Sequence, residues 1–518
     1  MEFDAVVVGN GIAGTVAAYY LAKHGFRTAL IDKSDTFSES NTYQAQGGIS
    51  YQGERDSIDL RFQDIMSAGA GICNPEAVEI VAEDGPGLIE EILINEFNVS
   101  FSKKNDGSLD ITEEAAHSVK RILHSFDTTG RSVLEAAIAA VRKQDKVAYL
   151  SNYTAVDIIT WHHHSFDKLR MYRPLTALGV YALDNRNKKV ERILSKMVVL
   201  ASGGMGRIYL HTTNPVSATG DGYAMAARAG ARLINMEFTQ FHPTTLYHPK
   251  GENFLISEAV RGEGGIITDI SGKAFMHKYH EKKDLAPRDI VTRAILNELL
   301  ETGEKYVLLD VSAIGKEHIP VRFPHIYQTC LDIGIDITEQ PIPIVPAFHF
   351  SCGGVMTDIN GRTNIERLYA AGEVACTGLH GANRLASTSL LEAMVFGKRI
   401  ADYAKNNRET VLGFEYPEVP EWIDTGIIDT IDPALIKQDW TYLQNIMWNY
   451  VGPIRNKKRL RRALIDLKNL REDIENFYRD AIMDRKLIEL RNAIQTGAII
   501  AEHAWTNRES LGAHYRVD

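Results

Sequence analysis

The chain is predicted to be an α/β protein: a Rossmann-like dinucleotide-binding domain with an inserted α+β domain and a C-terminal helical bundle. Three observations predict this. A strand, a glycine turn and a helix follow one another at the N-terminus, a second strand-to-glycine signal returns after a long interval, and apolar helical stripes fill the last part of the chain.

In the first unit, Val6-Val7-Val8 runs into Gly9, Asn10, Gly11, Ile12, Ala13 and Gly14, followed by an apolar-periodic stretch ending near Gly25. The glycines permit a tight turn and close backbone approach, and the helix start presents unpaired N–H groups to a pyrophosphate. A second strand, Thr28 to Ile31, then delivers Asp32, eighteen positions past Gly14, to a ribose hydroxyl.

Strand and helix signals alternate through roughly the first 235 residues, as in a layered α/β domain. Within it, Lys196 to Ala201 reads as a buried strand running into Ser202-Gly203-Gly204. Leu368 to Ala371 repeats that pattern into Gly372-Glu373, and Ser389 to Tyr403 follows as an amphipathic helix. Both signals suit one nucleotide domain, so the roughly 110 residues between them read as an insertion. The expected division is 1–236 and 351–410 for the nucleotide domain, 237–350 for the inserted capping domain and 420–518 for the helical domain. Pro417 and Pro420 mark the last boundary, and Asp432-Pro433 reads as an N-cap and first helical residue. Leu443, Ile446, Met447, Tyr450, Val451 and Ile454 share one stripe, and Leu460, Leu464 and Leu467 the next.

At 518 residues the chain is too long for one core, and 44% hydrophobic with 24% charged residues is ordinary for a globular enzyme. A formal net charge of -10 argues against a nucleic-acid partner. No apolar stretch approaches the roughly 20 residues that span a bilayer, and no charged-then-apolar leader precedes the first strand, so a cytoplasmic protein without a membrane partner is expected. Cys73, Cys330, Cys352 and Cys376 lack C-x-x-C spacing, which fits reduced thiols and leaves no cluster ligands. Adjacent residues cannot all face one ion, so His162-His163-His164 reads as a loop and no metal site is expected. Arg455 to Arg462, with six basic residues, reads as a solvated helical face with Ile454 and Leu460 buried.

Polar clusters sit in short segments marked by glycine or proline: Gln240 to Thr244, Ser257 to Gly264, Ala286 to Asp289, Pro346 to Phe350 and His380 to Arg384. Two arginines, two histidines and a hydroxyl together suit a small dicarboxylate, because guanidinium clamps a carboxylate bidentately and imidazole donates to a second one.

These motifs, with Ala45-Gln46-Gly47-Gly48 and Arg261-Gly262-Glu263-Gly264, identify a resemblance to the flavoprotein family of succinate dehydrogenase, fumarate reductase and L-aspartate oxidase, running from Asp4 to the end. The chain is most similar to the aspartate-oxidising branch, through Gly69 to Cys73, Tyr247-His248-Pro249, Cys352 to Met356 and Leu385-Ala386-Ser387. The resemblance implies FAD as cofactor, contacted by Gly9 to Gly14 at the pyrophosphate and by Asp32 and Lys33 near the adenosine ribose. It further places Asn41, Thr42, Tyr43, Gln44, Ala45, Gln46, Gly47 and Gly48 along the flavin, Ala155 and Val156 by the adenine, Asp221 near the flavin and Glu373 at the ribityl chain. Ser389 and Leu390 would open a helix aimed at the flavin's pyrimidine edge, Ser389 serving also as an N-cap.

In the respiratory members a histidine five positions before the Gln of Ala-Gln-Gly-Gly bonds covalently to the flavin; Asn41 stands there. An amide has no comparable nucleophile, so non-covalent FAD is expected. His242, His349 and Arg384 match the family's carboxylate binders, with Ser257 in place of the usual threonine, and Arg288 matches its proton-transferring arginine. An arginine is almost always charged, so it works as a base only where the site enforces a transient proton loss through neighbours such as Glu258 or Glu263. Glu114 matches the acid that reads the substrate amine, although Ala115-Ala116 replaces the usual glycine pair and Thr388 the usual asparagine. The implied reaction is oxidation of L-aspartate to iminosuccinate with reduction of oxygen to hydrogen peroxide, or of fumarate to succinate. It is the first step of quinolinate and NAD synthesis, with hand-off to quinolinate synthase; the alternative is the flavoprotein subunit of a fumarate reductase or succinate dehydrogenase.

Overall fold

The computed structural model describes residues 1–114, 116–249, 254–423 and 432–518. β1 (Glu2–Val8), α1 (Ile12–Lys23) and β2 (Thr28–Asp32) open the chain, followed by β3 (Val147–Ser151), β4 (Tyr153–Thr160), β5 (Ala177–Asp184), β6 (Lys189–Leu200) and α2 (Asp221–Ala229). Next come β7 (Thr239–Leu246), β8 (Phe254–Leu255), α3 (Glu258–Gly262), β9 (Ile266–Thr268), α4 (Arg288–Thr302), β10 (Val307–Asp310), α5 (Pro324–Asp332) and β11 (Ile342–Ser351). β12 (Leu368–Ala370), α6 (Ser389–Asn406), α7 (Pro433–Val451), α8 (Lys457–Asp480) and α9 (Arg485–Thr506) complete it.

The large sheet has the order β3-β2-β1-β6-β5-β4, with β12 also paired to β6. β3, β2, β1, β6 and β12 run parallel, whereas β4, β5 and β6 form an antiparallel meander. Val6, Val7 and every residue of β2 are buried, as parallel strands covered on both faces require. Because Leu368 pairs with Val198 and Ala370 with Leu200, the two strand-to-glycine signals lie side by side. The chain between them builds a second sheet, β8-β7-β11-β10-β9, over its own core of Ile256, Phe275, Ile295 and Ile344.

Two close approaches explain the first glycines. Gly9 has φ +108°, and a Cβ there would lie 2.2 Å from the Ala201 carbonyl oxygen; one on Gly14 would lie 1.9 Å from that of Gly9. Only a bare backbone lets the turn between β1 and α1 close this tightly.

At the C-terminus Asp432 caps α7, its side chain accepting from Ala434 N with Pro433 first in the helix. Leu443, Ile446, Met447, Val451, Leu460 and Leu467 are buried on the expected stripes. Two expectations fail there. Ile454 lies beyond the end of α7 and is only half-buried, and Arg455, read as solvated, is completely buried. Its Nε donates to the carbonyls of Val451 at 3.1 Å and Gly452 at 3.0 Å, Nη1 to Glu237 O at 2.7 Å and Nη2 to Thr239 Oγ1 at 2.7 Å. A guanidinium with its donors satisfied tolerates removal from water. The histidine tract forms a one-turn helix, Trp161–His164, rather than a loop, because Thr160 Oγ1 accepts from His163 N and caps it. Among the described residues no helix is long and apolar enough to cross a membrane, no acid, histidine and thiol cluster suits a metal ion, and all four cysteines are buried and unpaired.

Candidate active site

A continuous cleft runs from the β1–α1 turn to the sheet of the inserted segment. Gly9, Asn10, Gly11, Ile12, Ala13, Asp32, Lys33, Asn41, Thr42, Gln44, Ala45, Gln46, Gly47, Gly48, Ala155, Asp221, Glu373, Ser389 and Leu390 line it. So do all seven residues expected on the substrate side: Glu114, His242, Ser257, Glu258, Arg288, His349 and Arg384. Gly14, Tyr43 and Val156 are not among the lining residues. Gly14 packs on Gly9, Tyr43 stacks its ring beneath Arg131 at 5.5 Å, and Val156 is fully buried within β4.

At the nucleotide end, Asn10 Nδ2 donates to Asp32 at 2.5 Å, and burial pushes the Asp32 carboxyl up to about 7. Thr42 Oγ1 accepts from Ile12 N at 3.1 Å, so the 41–48 segment is tied to the start of α1. Lys33 bonds Asp221 at 2.7 Å, Glu489 at 2.8 Å and Thr219 at 2.8 Å. Burial would lower its pKa, but the two carboxylates outweigh burial and raise it. Asp221, expected near the flavin, thus belongs to the same cluster as Lys33. Glu373 is likewise buried and pushed up to about 7, while accepting from Asn41 Nδ2 at 2.7 Å and Ser351 N at 3.0 Å. The residues fit a dinucleotide: the glycine turn leaves backbone open, and Asn41 Oδ1, Gln46 Oε1 and Ser202 Oγ are buried along the cleft without hydrogen-bond partners among the described residues.

On the substrate side, strand β7 breaks register against β11 between His242 and Thr245, a bulge that turns His242 into the cleft. The His242 and His349 rings lie 5.4 Å apart. Burial first, then neighbouring guanidinium groups, hold both well below the ordinary histidine range, so both are neutral. Arg384 Nη2, which can only donate, lies 3.0 Å from His349 Nε2, so the ring proton sits on Nδ1 and is donated to Thr213 Oγ1 at 2.8 Å. Arg384 also stacks over Phe350 at 4.3 Å, and burial lowers it to about 10.

Arg288 begins α4 and meets Glu258 at 2.5 Å; Arg261 reaches the same carboxylate at 3.2 Å. Burial would raise Glu258, but the two guanidinium groups outweigh it and hold the carboxyl below its usual range. Glu263, the other acid expected beside Arg288, instead pairs with Arg322 at 3.3 Å on the surface. Ser257 caps α3, accepting from Ala259 N at 3.3 Å. Glu114 accepts from Ser387 Oγ at 2.7 Å. Of the replaced glycine pair, Ala115 lies outside the described residues and Ala116 has φ +67°. The N-cap of α6 is Thr388 rather than Ser389, because Ser389 already has helical geometry.

The sequence left several cleft residues unassigned. Ser202, Gly203 and Gly204 follow β6, and their strand-to-glycine pattern was a usable signal. Thr213, Asn214 and Ser387 carried none, because their roles come from contacts with residues more than a hundred positions away.

Residues 4–390 match the FAD binding domain family and residues 440–518 the fumarate reductase flavoprotein C-terminal family. The chain is 42% identical to L-aspartate oxidase of Acinetobacter baylyi, covering 100% of this chain and 93% of that protein. It is 40% identical to the chloroplastic L-aspartate oxidase of Oryza sativa subsp. japonica, covering 100% of this chain and 81% of the relative. Among solved structures, E. coli quinol fumarate reductase FrdA superposes with a TM-score of 0.89 at 26% identity over 100% of this chain and 91% of that one. Mycobacterium smegmatis Sdh1 gives 0.82 at 27% identity, covering 100% and 89%. With residues 4–390 and 440–518 matched and its full length shared with such relatives, the chain belongs to the succinate dehydrogenase and fumarate reductase flavoprotein family, in the L-aspartate oxidase group.

Proposed function

We propose that the protein is an FAD-dependent enzyme that oxidises L-aspartate to iminosuccinate, the first step of NAD biosynthesis. One observation carries this reading most directly. Arg288 Nη1 and Arg384 Nε are buried in the cleft without hydrogen-bond partners among the described residues, and the Glu114 carboxylate opens onto the same space. Guanidinium donors without a partner suit the anionic groups of a substrate, and a carboxylate on the same cleft suits an ammonium.

FAD, when bound, would supply a hydride acceptor for the substrate Cα and a two-electron carrier toward oxygen or fumarate. Arg384 binds one substrate carboxylate, oriented by neutral His349, whose Nε2 accepts from its Nη2 at 3.0 Å, while His242 and Ser257 receive the other. Glu114, held by Ser387, takes the ammonium. Arg288 would accept the proton that accompanies hydride loss as it gives one of its own to Glu258, which lies 2.5 Å away. The balance is two electrons and two protons from aspartate, giving iminosuccinate, with oxygen becoming hydrogen peroxide or fumarate becoming succinate.

The finer parts of the reading are these. FAD is held without a covalent bond, because Asn41 offers an amide that is already engaged with Glu373 at 2.7 Å. The enzyme works in the cytoplasm and passes its unstable imine product to quinolinate synthase. Reduction of the purified yellow protein under anaerobic conditions tests the substrate. L-Aspartate should bleach the flavin and succinate should not; bleaching by succinate alone would favour the fumarate reductase alternative. Acid precipitation tests the linkage, and a colourless pellet is expected.

A further inference from the structure

The last residues of the chain lie outside the cleft yet touch both sides of it. Ala513 N donates to Ala382 O at 2.9 Å, and Ala382 belongs to the loop that carries Arg384. Gly512, at φ +52°, sits so close that a Cβ would fall 2.5 Å from the same Ala382 oxygen. Leu511 packs against the small cluster of Phe238, Phe350, Cys352 and Ala382, and Phe350 is the ring beneath Arg384. Four residues beyond Leu511, the Tyr515 ring lies 4.6 Å under the guanidinium of Arg293. Arg293 stands in α4, the helix that begins with Arg288, and is tied to Asp289 at 2.8 Å.

The segment is itself anchored. Arg455 N donates to Tyr515 O at 3.0 Å, Val517 N to Arg455 O at 3.0 Å, and Arg455 Nη1 meets His514 Nδ1 at 2.5 Å. Arg516 Nη1 holds the carbonyls at the end of α9, Trp505 at 3.2 Å and Asn507 at 3.1 Å. The buried Arg455 thus joins the tail to Thr239 at the head of β7, the strand that carries His242.

We infer that residues 511–515 form a strut that sets the spacing of the two substrate arginines, with Tyr515 a positioning residue acting through Arg293 on α4. Tyr515 is not among the residues that line the cleft and meets it only through α4, so its effect belongs to dicarboxylate binding rather than to cofactor binding. The inference rests on the dicarboxylate reading of the cleft, and its test therefore measures binding as well as turnover.

The experiment compares the holoenzyme with Tyr515→Ala and Tyr515→Phe. Succinate binding is read from the flavin difference spectrum, FAD affinity from flavin release, and KM and kcat from aspartate turnover. Tyr515→Ala should weaken succinate binding and raise the KM for L-aspartate by about fivefold, the scale of a lost cation–aromatic contact, with kcat and FAD affinity within about twofold. Tyr515→Phe keeps the ring face and should restore both values. Unchanged succinate binding in Tyr515→Ala, a parallel loss of FAD affinity, or failure of Tyr515→Phe to restore would each overturn the strut. A wild-type enzyme that binds succinate but is not reduced by L-aspartate would overturn the substrate reading alone.

Discussion

At the scale of single residues, the cleft separates carboxylate recognition from amine recognition. Arg384 is buried, stacked on Phe350 and donating to neutral His349, so it is held in place before any substrate arrives. Losing a charge-assisted contact of this kind costs about 2 to 4 kcal/mol in transition-state binding. Arg384→Leu should therefore lower kcat/KM for aspartate at least about thirtyfold while the protein stays yellow; an unchanged value would remove Arg384 from the site. Glu114 has a different task, because fumarate and succinate carry no amine. Glu114→Gln keeps the shape and removes the charge, so aspartate oxidation should fall strongly while fumarate reduction by the artificially reduced enzyme stays within a few-fold of normal. Equal loss of both would mean that Glu114, through Ser387, supports the fold or the flavin. The residue types of this cluster were legible in the sequence. Their pairing was not: Glu263 is nearer to Arg288 along the chain than Glu258, yet folding turns Glu258 inward to Arg288 and Glu263 outward to Arg322.

Elements decide how those residues are presented. The unit β1–α1 was readable because its physics is local: an apolar strand, glycines where Cβ atoms would collide, and a helix start. Gly14→Ala places a methyl group 1.9 Å from the Gly9 carbonyl oxygen, a backbone atom that cannot swing aside. The expected outcome is a protein purified without its visible flavin absorbance, and a fully yellow Gly14→Ala variant would contradict this account of the turn. The bulge in β7 was not readable, because a strand's register against β11 depends on a partner roughly a hundred residues away along the chain. The same holds for the one-turn helix at Trp161–His164, whose cap is a threonine that the histidine pattern obscured.

Across the whole molecule, the C-terminal part meets the head of β7 and the 380–384 loop. Their junction contains Arg455, His514 and Glu237. Burial first, then Arg455, depresses His514 to about 4, so it is neutral in the folded protein. The unfolded chain takes up a proton near pH 6.5, and the folded chain only near 4. Stability is therefore fully present above about pH 6.5 and is lost as pH falls toward 4, by about 2 kcal/mol after allowing for partial solvent screening. Thermal unfolding followed from pH 7 to 4.5 should show this loss, and His514→Asn should shrink it. An identical pH dependence in the two proteins would exclude His514 as its source. Glu237 adds a second loss at lower pH: burial would raise its carboxyl, but the His503 ring at 3.6 Å and a hydrogen bond from Asn507 at 2.9 Å outweigh burial and depress it to about 2.

The sequence alone determined the nucleotide turn, the return of the chain to the same sheet after a long excursion, the helical stripes of the C-terminal part and the set of residue types suited to a dicarboxylate. Each rests on spacing between near neighbours or on a compact motif, and such information survives without knowledge of distant contacts. Tertiary structure alone decided that Arg455 is buried rather than solvated, that Thr213 fixes the tautomer of His349, that Asp221 belongs with Lys33, and that the tail from Leu511 to Tyr515 reaches both substrate arginines' supports. The reason is common to all four. The energy of a buried charge or a hydrogen bond is set by the groups around it in space, and here those groups arrive from strands, loops and helices far apart in the chain.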